Sequence, residues 1–173
     1  MKTYLVTGPI GGGKSSVCRH LAARGFRVYD CDSSVKAMYE SVPGLKASIE
    51  DALGISWDGI GIIFSDEQKR LKLESIVYPL LTEDILKWKK AAGDDVVFIE
   101  SAIALDKPAL DGLYDEVILV RAPYEQRAAR NPKAVERDAI QSYDESRVNY
   151  TIDNDSTLEE LFIKTDKLLC RLI

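Results

Sequence analysis

Five short apolar runs are spaced along the chain, and the segments between them carry helical periodicity. Thr3-Tyr4-Leu5-Val6-Thr7, Arg27-Val28-Tyr29-Asp30, Val96-Val97-Phe98-Ile99-Glu100, Glu116-Val117-Ile118-Leu119-Val120 and Asn149-Tyr150-Thr151-Ile152 are rich in β-branched and aromatic residues and too short for helices. After the first run, Val17, Cys18, Leu21 and Ala22 recur at helical spacing until Gly25. Residues 34–92 read as mostly helical. Val35, Met38 and Tyr39 form one apolar face, broken by Pro43-Gly44, and Leu45, Ile49, Ala52 and Leu53 form another, closed by Gly54. Ser56 to Gly59 looks like a turn, and Ile60 to Phe64 is apolar but rich in glycine. Ser65-Asp66-Glu67 opens a helix through Leu73 and Val77, Pro79 is expected to start the next, and Gly93 ends it. Helices are also predicted over 122–130 and 135–143, and a closing one carries Leu158, Leu161, Phe162, Thr165, Leu168 and Leu169. Strands alternating with helices predict an α/β fold with a five-stranded parallel sheet and helices on both faces.

Length and charge narrow the class without naming a chemistry. At 173 residues the chain suits a single domain, and 46% hydrophobic with 29% charged residues is ordinary for a globular protein. A net charge of −5 argues against a general nucleic-acid surface. No apolar run is long enough for a signal peptide or a membrane span, and Cys18, Cys31 and Cys170 are odd in number and far apart. Reduced thiols in a cytoplasmic protein are the expectation. His20 is the single histidine, and its helical position places it on the polar, solvated side; the chain therefore has no histidine-based triad or zinc site.

The chemistry is carried by Gly8-Pro9-Ile10-Gly11-Gly12-Gly13-Lys14-Ser15, which fits the phosphate-loop pattern G-x-x-x-x-G-K-[ST] at every fixed position. Glycines let the backbone curl so that successive N–H groups converge on one anion. Lys14 is expected to reach the outer phosphates and the Ser15 hydroxyl to ligate Mg²⁺, and the helix starting here adds free donors and its dipole. A strand before the loop and a helix after it are the required context. The fold is thus expected to be a three-layer sandwich of the P-loop NTPase type.

Acids stand at two strand ends, where open parallel sheets place their ligands. After the second run, alternation puts Asp30 and Asp32 on one side and Cys31 on the other. Asp32 is a candidate base or metal partner, or else it caps the helix that follows. Glu100 is either a second carboxylate of the magnesium shell or a loop acid. Arg127 and Arg130, and Arg137 one turn before Gln141, are either partners for phosphate or exposed helix residues.

Together these positions resemble the dephospho-CoA kinase family of P-loop nucleotide kinases. The likeness covers most of the chain. Thr7 to Val17 is similar to the family's T-G-G-I-G-S-G-K-S-T-V, and Gly25 to Asp32 to its G-x-x-V-I-D-A-D. Phe64-Ser65-Asp66 matches F-x-D, and Leu73 to Leu80 is similar to L-E-x-I-x-H-P. Pro123 to Arg130, with Arg137 and Gln141, is similar to an arginine-bearing segment ending in R-x-x-x-Q, and Tyr150 to Leu161 to x-V-I-x-N-x-G-x-x-x-x-L. The resemblance implies MgATP-dependent phosphorylation of the ribose 3′-hydroxyl of dephospho-CoA, with those two small molecules as substrates. It implies Asp32 as the group that takes or aligns the hydroxyl proton, with Lys14, Arg127, Arg130 and Arg137 around the migrating phosphate. ATP is expected at residues 8–16, with Ser16 included and Asn154 near the adenine. The metal falls to Ser15 with Asp32 or Glu100, and the acceptor to Asp32, Tyr78 and Asp106. The implied layout is one P-loop kinase domain over 1–173, with a core of 1–33 and 94–173, a helical acceptor-binding insertion over about 34–93 and a lid over about 127–141.

The chain also departs from the family pattern. Tyr78 stands where the family has histidine, Glu100 to Asp106 replaces V-P-L-L-x-E, and Val148-Asn149 replaces Ala-Asp. The stretch from Arg130 to Arg137 is shorter, and residues 55–64 are trimmed and lack an arginine. These departures bear on the acceptor and the lid more than on the nucleotide. A kinase for another small acceptor, or a nucleotide-binding protein without transfer, therefore stays open as an alternative.

Overall fold

The computed structural model describes residues 1–132 and 144–173. The helix expected over 135–143, with Arg137 and Gln141, lies outside the described residues, as does most of the expected lid. β1 (Lys2–Thr7), β2 (Arg27–Asp30), β3 (Val96–Glu100), β4 (Glu116–Arg121) and β5 (Tyr150–Asp153) form one sheet in the order β2-β3-β1-β4-β5. Every pairing is parallel, with Lys2 opposite Val96 and Tyr4 opposite Glu116.

Alternation along β1 divides the core. Leu5 points to one face with Tyr29, Ile99 and Val117, and Tyr4 and Val6 point to the other with Phe98, Ile118 and Val120. The first face is covered by α2 (Cys31–Ser41), α3 (Leu45–Leu53) and α4 (Glu67–Ala92), through Met38, Ile49, Leu81 and Ile85. The second is covered by α1 (Lys14–Ala23) and α6 (Leu158–Leu172), through Val17, Leu21, Leu161 and Leu168. A short α5 (Tyr124–Arg130) follows β4. Burial on both faces explains why β1, β3 and β4 read as near-continuous apolar runs, whereas the edge strands β2 and β5 are more exposed and more polar.

Three local expectations change. Pro79 does not start a helix but sits inside α4, which runs unbroken for 26 residues. An interior proline forfeits a backbone hydrogen bond and costs about 3 kcal/mol. Leu73, Val77, Leu81 and Ile85 are all buried along the same stripe on both sides of it. Each such side chain contributes roughly 1.5–3 kcal/mol, so packing outweighs the break. The glycine-rich segment becomes a 3-10 helix, Trp57–Phe64, which leaves Phe64 50% exposed. His20 is not solvated: its ring stacks on Phe162 at 4.3 Å, and Nε2 lies 2.8 Å from Asp166, so it joins α1 to α6.

All three cysteines are unpaired, and among the described residues no helix is long and apolar enough to cross a membrane.

Candidate active site

β1 lies between β3 and β4, so the chain leaves its carboxyl end at the point where the strand order switches sides. Gly8 to Gly13 fill that point and lead directly into α1. Their conformation demands glycine. Gly8, Gly11 and Gly13 have φ of 144°, 74° and 106°, and a Cβ on Gly8 would sit 2.0 Å from the Val120 carbonyl oxygen.

The carbonyl oxygens of the loop each find a donor. Lys14 Nζ donates to Gly8 O at 2.8 Å and to Pro9 O at 3.1 Å, and Gly12 N also donates to Pro9 O, at 3.0 Å. Arg127 Nη1 donates to Ile10 O at 3.5 Å, Arg130 Nη1 to Gly11 O at 3.2 Å, and Asn154 Nδ2 to Gly12 O at 3.0 Å. Gly13 O accepts from Ser16 N and Val17 N as α1 begins.

A cavity of about 500 Å³ opens beside the loop. Ile10, Gly11, Gly13, Lys14, Ser15 and Ser16 border it, and Gly8, Pro9 and Gly12 lie behind them. Asp32, Glu100 and Arg130 enter from three other elements, so one space brings together two cations and two carboxylates. Burial lowers the pKa of Lys14, with Glu100 and Asp32 opposing that shift. The Ser15 hydroxyl donates to Glu100 Oε1 at 2.6 Å. Cys18, one turn further along α1, is buried; desolvation and the Glu100 carboxylate push its thiol far above the usual range, which makes it unreactive.

The structure takes the capping role away from Asp32. Helix α2 begins at Cys31, earlier than expected, and Asp30 caps it by accepting from Ser33 N at 3.0 Å and Ser33 Oγ at 2.6 Å. Asp32 sits in the first turn, exposed and facing the cavity. Helical rotation, not strand alternation, separates it from buried Cys31.

Other expected site residues are placed differently. Arg127 is 8% exposed and also donates to Ala122 O at 3.1 Å, so it supports the loop from behind and does not border the cavity. Asn154 borders the cavity, yet it is 6% exposed and its amide is engaged with the loop. Tyr78 and Asp106 do not border it. Tyr78 faces inward from α4 beside the Glu74 carboxylate, which Lys107 holds at 2.7 Å; burial raises the pKa of the Tyr78 hydroxyl. Asp106 is half-buried, and desolvation raises its carboxyl pKa against the pull of Lys107 and Arg147. Sequence reasoning missed Gln126, whose Oε1 accepts from Arg130 Nη2 at 3.0 Å. The signal was its position four residues before an arginine on one helix.

The donors around Ser15 suit one kind of metal. They are a hydroxyl and carboxylates, all oxygen, and among the described residues no group of three or more His, Cys, Asp or Glu side chains could hold an ion alone. Mg²⁺ keeps several waters and is bound through one or two protein oxygens plus substrate phosphates, which fits so sparse a set.

No protein-family model matches the chain. Its sequence is 34% identical over 178 residues to the dephospho-CoA kinase of Streptomyces avermitilis, covering 90% of this chain and 86% of that one. It is 30% identical over 188 residues to the dephospho-CoA kinase of Aquifex aeolicus, covering 97% and 96%. Among solved structures, TT1252 from Thermus thermophilus superposes with a TM-score of 0.80 at 26% identity, over 99% of this chain and 98% of that one. Dephospho-CoA kinase from Campylobacter jejuni superposes with a TM-score of 0.66 at 18% identity over the same shares, a likeness of fold.

Proposed function

The chain belongs to the dephospho-CoA kinase family, and from that premise we propose that it moves the γ-phosphoryl group of ATP to the ribose 3′-hydroxyl of dephospho-CoA, giving CoA and ADP. The observation that carries this reading is the meeting of Lys14, Ser15, Asp32 and Glu100 around one cavity at the carboxyl edge of the sheet.

Phosphoryl transfer asks a protein mainly for positioning and for neutralisation of charge. The loop amides and Lys14 hold the nucleotide's phosphates, with Lys14 leaving its two carbonyl partners for phosphate oxygens. Ser15, backed by Glu100, would hold Mg²⁺, which would supply charge neutralisation on the nucleotide's phosphates. Asp32 aligns the acceptor hydroxyl. As that oxygen bonds to the γ-phosphorus, the bond from phosphorus to the β-phosphate oxygen breaks, ADP leaves, and the hydroxyl proton passes to the Asp32 carboxylate. Arg130, already at the rim, faces the transferring group. The substrates are small molecules, and this reading puts the reaction in the cytoplasm.

The test is ATP-dependent formation of CoA from dephospho-CoA, followed by separation of the products, with Asp32→Asn beside the wild type. Loss of a positioned base costs typically 10²–10⁴-fold, so the variant should bind ATP normally and turn over at least about 100-fold more slowly. No CoA at high protein concentration, with ATP still bound, would remove the assigned acceptor; a panel of hydroxyl acceptors read by ADP release would then separate another kinase from a binding protein.

A further inference from the structure

An anion cradle has a requirement that its signature does not contain. Every peptide unit that turns its N–H inward must turn its C=O outward, and a carbonyl that rotated back would place partial negative charge against the phosphates. The donors that keep the loop carbonyls out therefore govern the cradle as much as the glycines do. Among the described donors, two belong to the nucleotide's own partners. Lys14 and Arg130 are cations in the cavity wall, and a polyphosphate draws such groups away from neutral carbonyls.

Asn154 differs in three ways. Its amide carries no net charge, so phosphate exerts no comparable pull on it. It is 6% exposed. Its backbone N–H is tied to Arg121 O at 2.7 Å, which fixes it to the end of β4. The fit to the loop is tight: a Cβ on Gly13 would come within 2.4 Å of Asn154 Nδ2. Gly13, the residue next to the lysine, thus has no room for a side chain because of Asn154, quite apart from its φ of 106°.

We propose that Asn154 is a positioning residue for polyphosphate binding: its amide holds Gly12 O out of the cavity and keeps the loop N–H groups converged, and it does not read the nucleotide's base. This rests on the nucleotide half of the function assigned above and is independent of the acceptor.

The experiment measures binding of MgATP and of inorganic tripolyphosphate with magnesium, by calorimetry, to the full chain as wild type, Asn154→Ala and Asn154→Asp. Leaving Gly12 O without its partner should weaken both ligands by the same factor, about tenfold for Asn154→Ala. Asn154→Asp should weaken both further, since it aims a carboxylate at a carbonyl. The KM for ATP should rise in step while kcat changes by less than about threefold. Asn154→Ser, which keeps a short donor, should regain part of the affinity and serves if the alanine variant does not fold. Weakening of ATP with tripolyphosphate unchanged would overturn the proposal in favour of a base contact. Unchanged binding of both by a folded variant would overturn it outright, as would a wild type that binds ATP but no tripolyphosphate. Failure to make CoA with these binding shifts intact would count against the acceptor alone.

Discussion

Replacing Gly8 by alanine tests the packing of the loop against the sheet. The new methyl would stand 2.0 Å from the backbone oxygen of Val120, where ordinary contact begins at 3.4 Å. Oxygen and methyl must part by about 1.4 Å, and both belong to backbone, so no rotamer change relieves the clash. The φ of 144° adds strain of about 1–3 kcal/mol for any residue with a Cβ. Gly8 O is also the nearer resting partner of Lys14 Nζ, so the shift moves the lysine's anchor with the loop. A displacement of about 1 Å in a positioned group costs on the order of 10²-fold. Gly8→Ala should therefore raise the dissociation constant for MgATP about 100-fold, measured by calorimetry, and lower the melting temperature. Gly112→Ala is the control: its φ is 82°, but nothing lies within 4 Å of its added Cβ. It should cost about 1 kcal/mol of stability and leave ATP affinity unchanged. A Gly8→Ala protein that melts with the wild type and binds ATP within about threefold of it would refute the reasoning.

Two further outcomes follow from the same geometry. Burial favours the neutral form of Lys14, whose pKa is lowered, and phosphate binding needs the charged form. ATP affinity should be full on the acid side and fall as pH rises, with the decline beginning below the ordinary lysine value of 10.5; titrating affinity against pH for wild type and Lys14→Arg checks this, and a limb that persists in the arginine variant, which stays protonated, would assign it elsewhere. Pro79→Ala should stabilise the protein, since it removes the interior-proline penalty of about 3 kcal/mol (a missing hydrogen bond plus the ring's clash with the preceding turn) against a loss of about 0.4–1 kcal/mol from the freer unfolded chain, for a net gain near 2 kcal/mol in urea unfolding. A lower midpoint for that variant would show that α4 is shaped around the proline.

Much of the fold can be read from one residue to the next. β2 and β3 lie where the apolar runs put them, and Asp66 caps α4 as the Ser65-Asp66-Glu67 signal predicts, accepting from Lys69 N at 3.0 Å. The phosphate loop is also local, because its curl follows from the φ values that its glycines permit. Periodicity and backbone preference act over a few residues, so a single chain displays them without its fold. Tertiary structure decided the rest. Pro79 marks a break by every local rule, yet buried side chains before and after it hold α4 in one piece. Arg127 and Asn154 carry side chains suited to phosphate or base, yet their burial turns them into supports for carbonyls more than a hundred residues earlier in the chain. The cap on α2 is a local matter between Asp30 and Ser33, but that Asp32 then borders one cavity with Glu100 and Lys14 is tertiary. Each of these outcomes depends on which donor lies nearest in space and which surface is withdrawn from water: for Arg127 and Asn154 only once β1, β4 and β5 lie side by side, and for Pro79 only once α4 packs against Tyr29 and Ile99 of β2 and β3.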